Sequence, residues 1–146
     1  MTSTSNGNNE WTSNTANSGR KTNTINMASV KESMDKAMGI TGAIGAALVD
    51  YESGMTLATA GGGERLNLDV AAAGNTEVVR AKLRVMNELS IKGGISDVLI
   101  TLDSEYHLIR PLKATTLFLY LAVDREQGNL ALARHKVADI ENNLEI

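Results

Sequence analysis

The sequence predicts an α+β domain: a five-stranded antiparallel sheet flanked by helices, in the order α-β-β-α-β-β-β-α. Three observations predict it. From Ile95 to Leu144, three short apolar runs follow one another and give way to an amphipathic helix. Connections this short cannot make a parallel crossover, so the three runs form an antiparallel meander. A two-strand hairpin pattern occupies Thr41 to Ala60, and one long helical segment, Asn67 to Ile91, joins the two groups of strands.

Each element has a local reason. Ser29 is placed to cap a first helix, with Glu32 three residues on as in a capping box. Val30, Met34, Ala37 and Met38 give that helix a short apolar face, and Gly39 ends it. Thr41–Val49 (TGAIGAALV) reads as a strand of small residues, Asp50–Gly54 as a hairpin turn and Met55–Ala60 as the returning strand. Gly61–Gly63 is a loop. Ile95–Leu102 (ISDVLITL), Tyr106–Leu112 (YHLIRPL) and Thr116–Val123 (TLFLYLAV) are the remaining strands. Thr116–Val123 is apolar on both faces apart from Thr116, which places it centrally. Pro111 comes late in its strand, where a missing amide is tolerated. Asn129 then caps a last helix whose Leu130, Ala133, Val137, Ile140 and Leu144 form one stripe.

The long helical segment is unusual. Placed at about 100° per residue, its apolar side spans roughly 200°, about twice the stripe that one contact requires. Gly74, Val78, Val85 and Leu89 lie toward one end of that arc; Ala72, Val79, Leu83 and Met86 lie toward the other. Such a helix is expected to pack on two surfaces: its own sheet and a second subunit. A small two-layer domain offers little else to cover the outer side. Ile95–Leu102 carries few of the charges or prolines that block pairing at a sheet edge, which points the same way.

Composition bounds the rest. The chain has 146 residues with 42% hydrophobic content, enough for one domain and one core. Of residues 1–26, 17 are Ser, Thr or Asn. We therefore divide the chain into a disordered Ser/Thr/Asn-rich tail, residues 1–27, and a domain, residues 28–146. The tail reads first as an inert extension, and second as a docking or phosphorylation segment anchored by Trp11. Met27 is a candidate alternative translation start. Net charge is −3, with no basic patch of the kind nucleic-acid binders carry. There are no cysteines, so disulfides and cysteine metal sites are excluded. No apolar run approaches the roughly 20 residues of a membrane span. The N-terminus lacks the layout of a secretory signal. The expectation is a cytoplasmic protein without membrane insertion or nucleic-acid binding.

No catalytic pattern assembles along the chain. Gly39, Gly42 and Gly45 recur every three residues, unlike the dinucleotide fingerprint, and read as small residues letting a helix lie close on a strand. Gly61–Gly63 does not lead into the Lys-Ser/Thr pair of a phosphate loop. His107 and His135 have no ligand cluster nearby in sequence. Ser96, His107 and Asp124 form no nucleophile elbow. Asp124-Arg125-Glu126 reads as a solvated cap. Arg65, Arg110 and Arg125 sit near element ends, and nothing in the sequence singles one out as an inserted arginine. No enzyme, cofactor or metal site is expected.

The order of elements resembles the roadblock family, the dynein-light-chain type of small αβ domain. Gly42–Asp50 (GAIGAALVD) followed by Ser53-Gly54-Met55 is similar to that family's first hairpin, and Asn129–Arg134 (NLALAR) to the opening of its last helix. Profilin-like and longin-like domains share much of the sheet, and the helix before the first hairpin favours roadblock over longin. The resemblance covers residues 29–144. It implies a homodimer joined through the long helix and the following strand into one ten-stranded sheet. The family's contact positions there map onto Val79, Leu83, Met86, Ser96, Val98 and Ile100. It also implies no active site and no cofactor, and a scaffold or regulator of a Ras-like small GTPase as the function. The polar tail departs from the family's longer regulators. The alternative is a small-molecule sensor that holds a ligand between sheet and helix, where Gly45, Ala46 and Ala47 would leave room.

Overall fold

The structure, a computed structural model, describes residues 25–145. Residues 1–24, which carry the tail reading and Trp11, lie outside the described residues. The elements are α1 (Met27–Met38), β1 (Ala43–Asp50), β2 (Thr56–Gly61), α2 (Leu68–Glu88), β3 (Val98–Thr101), β4 (Glu105–Pro111), β5 (Leu117–Asp124) and α3 (Leu130–Asn143). They form one antiparallel five-stranded sheet in the order β2-β1-β5-β4-β3. The expected order and pairing are met.

β5 is central for the reason its composition gives. Every residue from Leu117 to Val123 is buried, so both faces of the strand are covered. Leu119, Leu121 and Val123 join β1 and β4 side chains beneath α1 and α3. Phe118, Tyr120 and Ala122 join Ala47, Val49 and Ile109 beneath α2. Burying each large apolar side chain here contributes about 1.5–3 kcal/mol. The sheet therefore lies between two helical layers, not in the two-layer domain expected. α1 and α3 share one face and α2 holds the other alone.

Two element starts, those of α1 and β3, differ from the sequence reading. The N-cap of α1 is Asn26, whose Oδ1 accepts the Ser29 amide at 3.1 Å. Ser29 lies inside the helix, and its hydroxyl accepts the Glu145 amide at 3.0 Å, tying the two ends of the domain together. The polar side chain that satisfies the first-turn amides is thus the one a turn earlier. β3 is only four residues long, Val98–Thr101, so Ser96 stands outside the strand. The segment before β3 is held instead by Asp97, which binds Arg134 of α3 through both carboxylate oxygens at 2.9–3.0 Å. Pro111 pairs with Phe118 at the end of β4. Leu112 N–H donates to Leu117 O at 2.9 Å, so by alternation the position of Pro111's absent amide faces away from β5, where β3 has not yet begun.

One close approach requires glycine on both sides. Gly42 has φ +83°, and a Cβ built on it would lie 2.8 Å from Gly128 Cα. This contact closes the start of β1 onto the β5–α3 turn, where Asp124 N–H donates to Gly42 O at 2.8 Å. Gly42→Ala is expected to lose about 2–4 kcal/mol, from left-handed strain plus a backbone clash. Gly63→Ala shares the strain (φ +56°) but faces open space, and is expected to lose only about 1 kcal/mol. Urea denaturation midpoints of the two variants would check this ranking.

Candidate protein-interaction surface

α2 is set on the sheet by its cap, its apolar line and one arginine. Asn67 Oδ1 accepts the Asp69 and Val70 amides, both at 3.1 Å, and starts the helix. Leu68, Ala72, Thr76, Val79 and Met86 are buried and face the strands. Thr76 is tolerated on this line because its hydroxyl donates to Ala72 O at 2.8 Å. On the flank toward β2, the Arg80 guanidinium donates to Tyr51 O at 2.6 Å and Glu52 O at 2.5 Å, clamping α2 to the β1–β2 hairpin.

The opposite flank follows by rotation. At about 100° per residue, Arg80 lies roughly 90° from the centre of the buried line, and Val78 lies roughly 110° from it in the other direction. The Val78 flank therefore faces the β3 side of the sheet. It is apolar and uncovered: Val78 and Val85 are each 37% exposed and Leu89 63%. Gly74 is exposed, Ala71 and Ala81 are half-buried, and a Cβ on Gly74 would meet nothing within 4 Å. β3 runs alongside as the sheet edge, with Val98 and Ile100 packed under α2. Leu102 N–H donates to Glu105 O at 2.8 Å, so by alternation the backbone groups of Leu99 and Thr101 point outward with no strand beside them. An unpaired edge without charge or proline thus lies next to an uncovered apolar helix flank.

The structure divides the six expected contact residues. Val79 (0% exposed) and Met86 (9%) belong to the chain's own core. They shape the surface from beneath and do not form it. Leu83, Val98 and Ile100 are half-buried at its boundary, and Ser96 is exposed in the loop before β3. The exposed residues are Val78, Val85 and Leu89, which the helical arc contained but the family correspondence passed over. Their signal is the spacing of Gly74, Val78, Ala81 and Val85, alternately four and three residues apart.

A polar cluster lies under α2 at the other end of the sheet. Glu105 Oε1 contacts His107 Nε2 at 2.8 Å, and His107 Nδ1 contacts Tyr120 Oη at 3.1 Å. Burial, then the charge of Glu105, pushes the Tyr120 hydroxyl up to about 12, so it stays protonated. Arg65 donates to Asp124 Oδ2 at 2.9 Å and lies 3.5 Å from Glu105. Asp124 Oδ1 also accepts the Glu126 and Gln127 amides at 2.8 and 3.2 Å, so it caps the turn before α3, but as a mostly buried, ion-paired group and not the solvated one expected. Ser96 is remote from His107 and Asp124 in the fold, and every buried polar side-chain atom among the described residues has a partner. The arrangement is that of a structural network. Arg110 is taken up by Glu141, and Arg125 by Leu102 O and the Tyr106 ring. No helix among the described residues is long and apolar enough to cross a membrane.

The room proposed for a small ligand is filled. A Cβ on Gly45 would lie 3.1 Å from Leu68 Cδ2 and from Gly62 N, while Ala46 and Ala47 are buried in the two cores. An open groove of about 580 Å³ lies between α1 and α3, lined by Lys36, His135, Lys136 and Asp139 among others. Its histidine is 3.6 Å from Asp139 one turn on.

No protein-family model matches the sequence, and no curated protein matches it. Solved structures do match the fold. Myxococcus xanthus MglB aligns with a TM-score of 0.70 at 14% identity, over 80% of this chain and 84% of that one. A roadblock/LC7 domain from Streptomyces avermitilis aligns at 0.65 and 16% identity, over 76% and 90%. The gliding protein MglB of Thermus thermophilus aligns at 0.60 and 18% identity, over 79% and 90%. The chain has the roadblock/LC7 fold.

The Asp124 carboxyl is held below its ordinary 3.8 by the Arg65 hydrogen bond and then by the two turn amides. A lowered folded-state value contributes stability above the ordinary value, and that contribution is lost as pH falls through the lowered one. Asp124→Asn is therefore expected to lower Tm at neutral pH, and the gap from wild type is expected to close as the pH falls below the ordinary 3.8 and through the lowered value. Thermal melts of both proteins across roughly pH 2–7 would check it.

Proposed function

We propose that the protein is a non-enzymatic, homodimeric scaffold or regulator of a Ras-like small GTPase, acting in the cytoplasm. The observation that carries this reading is the uncovered apolar flank of α2 lying beside the unpaired edge of β3. A second copy brought up by a two-fold axis would add its own β3 to the edge and its own α2 to the flank, burying both at once. The roadblock fold supports this reading, since the family resemblance implies dimers of this kind and regulation of small GTPases. One further similar structure is MglB in a tetrameric arrangement (TM-score 0.58, 18% identity, 80% of this chain and 89% of that one).

The mechanism would be positional. A GTPase switches between arrangements of its switch segments, and a surface that binds one arrangement better shifts the population toward it. The clamps on α2, at Asn67 and Arg80, keep such a surface from rearranging when a partner docks. No covalent step is needed for this action.

Val85→Glu places a charge in the middle of the proposed contact while leaving the sheet-facing line intact. It is expected to weaken dimerisation by several kcal/mol, an order-of-magnitude figure for an unpaired charge buried at an interface. Light scattering should then report a monomer and circular dichroism an unchanged fold. Wild-type protein should bind a small GTPase from the same genome and change its hydrolysis rate. Monomeric wild type at high concentration, or no effect on any such GTPase, would overturn the corresponding half of the proposal.

A further inference from the structure

We propose that the groove between α1 and α3 is a docking site for the chain's own N-terminal segment, with Trp11 seated over Ile140 and Glu10 beside Lys136. The docking does not depend on dimerisation.

The groove follows both helices. They run antiparallel, since Asn26 and Ser29 at the start of α1 bond to Glu145 just beyond α3. At the far end the space is about 580 Å³, lined by Lys36, Gly39, His135, Lys136 and Ile140 among others. Toward the start of α1 lies a further space of about 340 Å³, lined by Asn26, Glu32 and Glu145 among others. Lys36 and Asn143 border both. The described chain begins at residue 25, so the 24 residues before it join the domain at the groove's mouth. The tether length fits. Residues 12–24, thirteen in all, separate Trp11 from Ile25. A polar spacer of that length has a root-mean-square span of about 20 Å. From Met27 to Gly39, α1 covers about 18 Å at 1.5 Å per residue. A tether matched to its span gives an effective concentration of about 1 mM, so an intrinsic affinity of about 0.1 mM keeps the groove roughly nine-tenths occupied.

The charges fall in matching order. Going back from residue 25, the segment carries Lys21 and Arg20 first and then Glu10, its one acidic residue. The groove has the opposite signs in the same sequence. Its mouth holds Glu32 and Glu145, and its far end Lys36, His135 and Lys136. Lys36 is 3.2 Å from Glu32, and His135 is 3.6 Å from Asp139. Among the described residues Lys136 takes part in no ion pair, which leaves it for Glu10. An exposed ion pair adds little affinity by itself. Its use here is to set the register, so that the ring beside Glu10 arrives where the groove is wide. There the buried Ile140 and the stems of Lys36 and Lys136 offer apolar contact, which suits an indole whose N–H stays in water.

Trp11 is the chain's one tryptophan, so its fluorescence reads the docking directly. The experiment uses the full chain as wild type, E10K, K136E and the double variant E10K/K136E, with circular dichroism to check each fold. Wild type is expected to emit at shorter wavelength than the same chain in urea, and to be quenched by acrylamide severalfold less. E10K and K136E should each move the emission and the quenching toward the urea values, and the double variant should restore protection. A wild type whose Trp11 is as exposed when folded as in urea overturns the docking. Protection that both single variants leave unchanged also overturns it, since Trp11 is then held elsewhere. Protection lost on dilution overturns it as well, because the groove then holds the segment of a second copy.

Discussion

A face of a five-stranded sheet is wider than one helix. With strands about 4.8 Å apart, the outer two stand roughly 19 Å from one another, and a helix with its side chains is about 10 Å across. In this protein α1 and α3 share one face, while α2 has the other to itself. Two helices cover a face of this width; one does not. The uncovered half-width falls on the β3 side because Arg80 holds α2 toward the β1–β2 hairpin. The exposed valines of α2, the half-buried Val98 and Ile100 and the unpaired edge of β3 all follow from this unequal division of three helices between two faces.

The same constraint explains why the polar contacts around α2 are directional. Apolar packing against a sheet is nondirectional and would let a lone helix slide or roll. Here Asn67 fixes its first turn and Arg80 fixes its lateral position. Beneath it, Glu105, His107 and Tyr120 form a chain of contacts satisfied at each step. A buried polar network that is fully paired specifies one arrangement, whereas a partly paired one is costly. The flank of α2 is therefore held in place before anything binds to it, which lowers the ordering entropy that association must overcome.

Much of this is legible in the sequence, and what is not has physical causes. The uninterrupted apolar run of β5 announces a strand covered on both faces, and Asn129 caps α3 as its position suggests. The start of α1 is ambiguous in sequence because Asn26 and Ser29 are both good caps three residues apart, and tertiary contact with Glu145 decides between them. β3 is shorter than its apolar run because composition does not reveal where pairing begins. Asp97 leaves the ladder to bind Arg134 of α3, a contact 37 residues away in sequence. The two-sidedness of α2 is visible in its periodicity, but which side faces the sheet is not. Thr76 sits on the sheet-facing line, and a polar residue there pulls the apparent apolar centre toward the outer flank. Only the hydroxyl's bond to Ala72 O makes it compatible with burial.

Dimerisation through α2 and β3 would also decide what remains for a GTPase. In such a dimer the β3 edges and α2 flanks would be consumed by the two-fold contact. The surfaces left are the α1–α3 face and the β2 edge of each copy, every one of them present twice. A partner that docks on one copy alone could bind in two equivalent places, whereas one that bridges the axis would bind once per dimer. The second arrangement makes the dimer a requirement for regulation rather than a convenience of folding, because a bridging site exists only when two chains are joined. Loss of the α2 contact would then abolish GTPase regulation in a protein whose monomers remain folded, which ties the geometry of one under-covered sheet face directly to function.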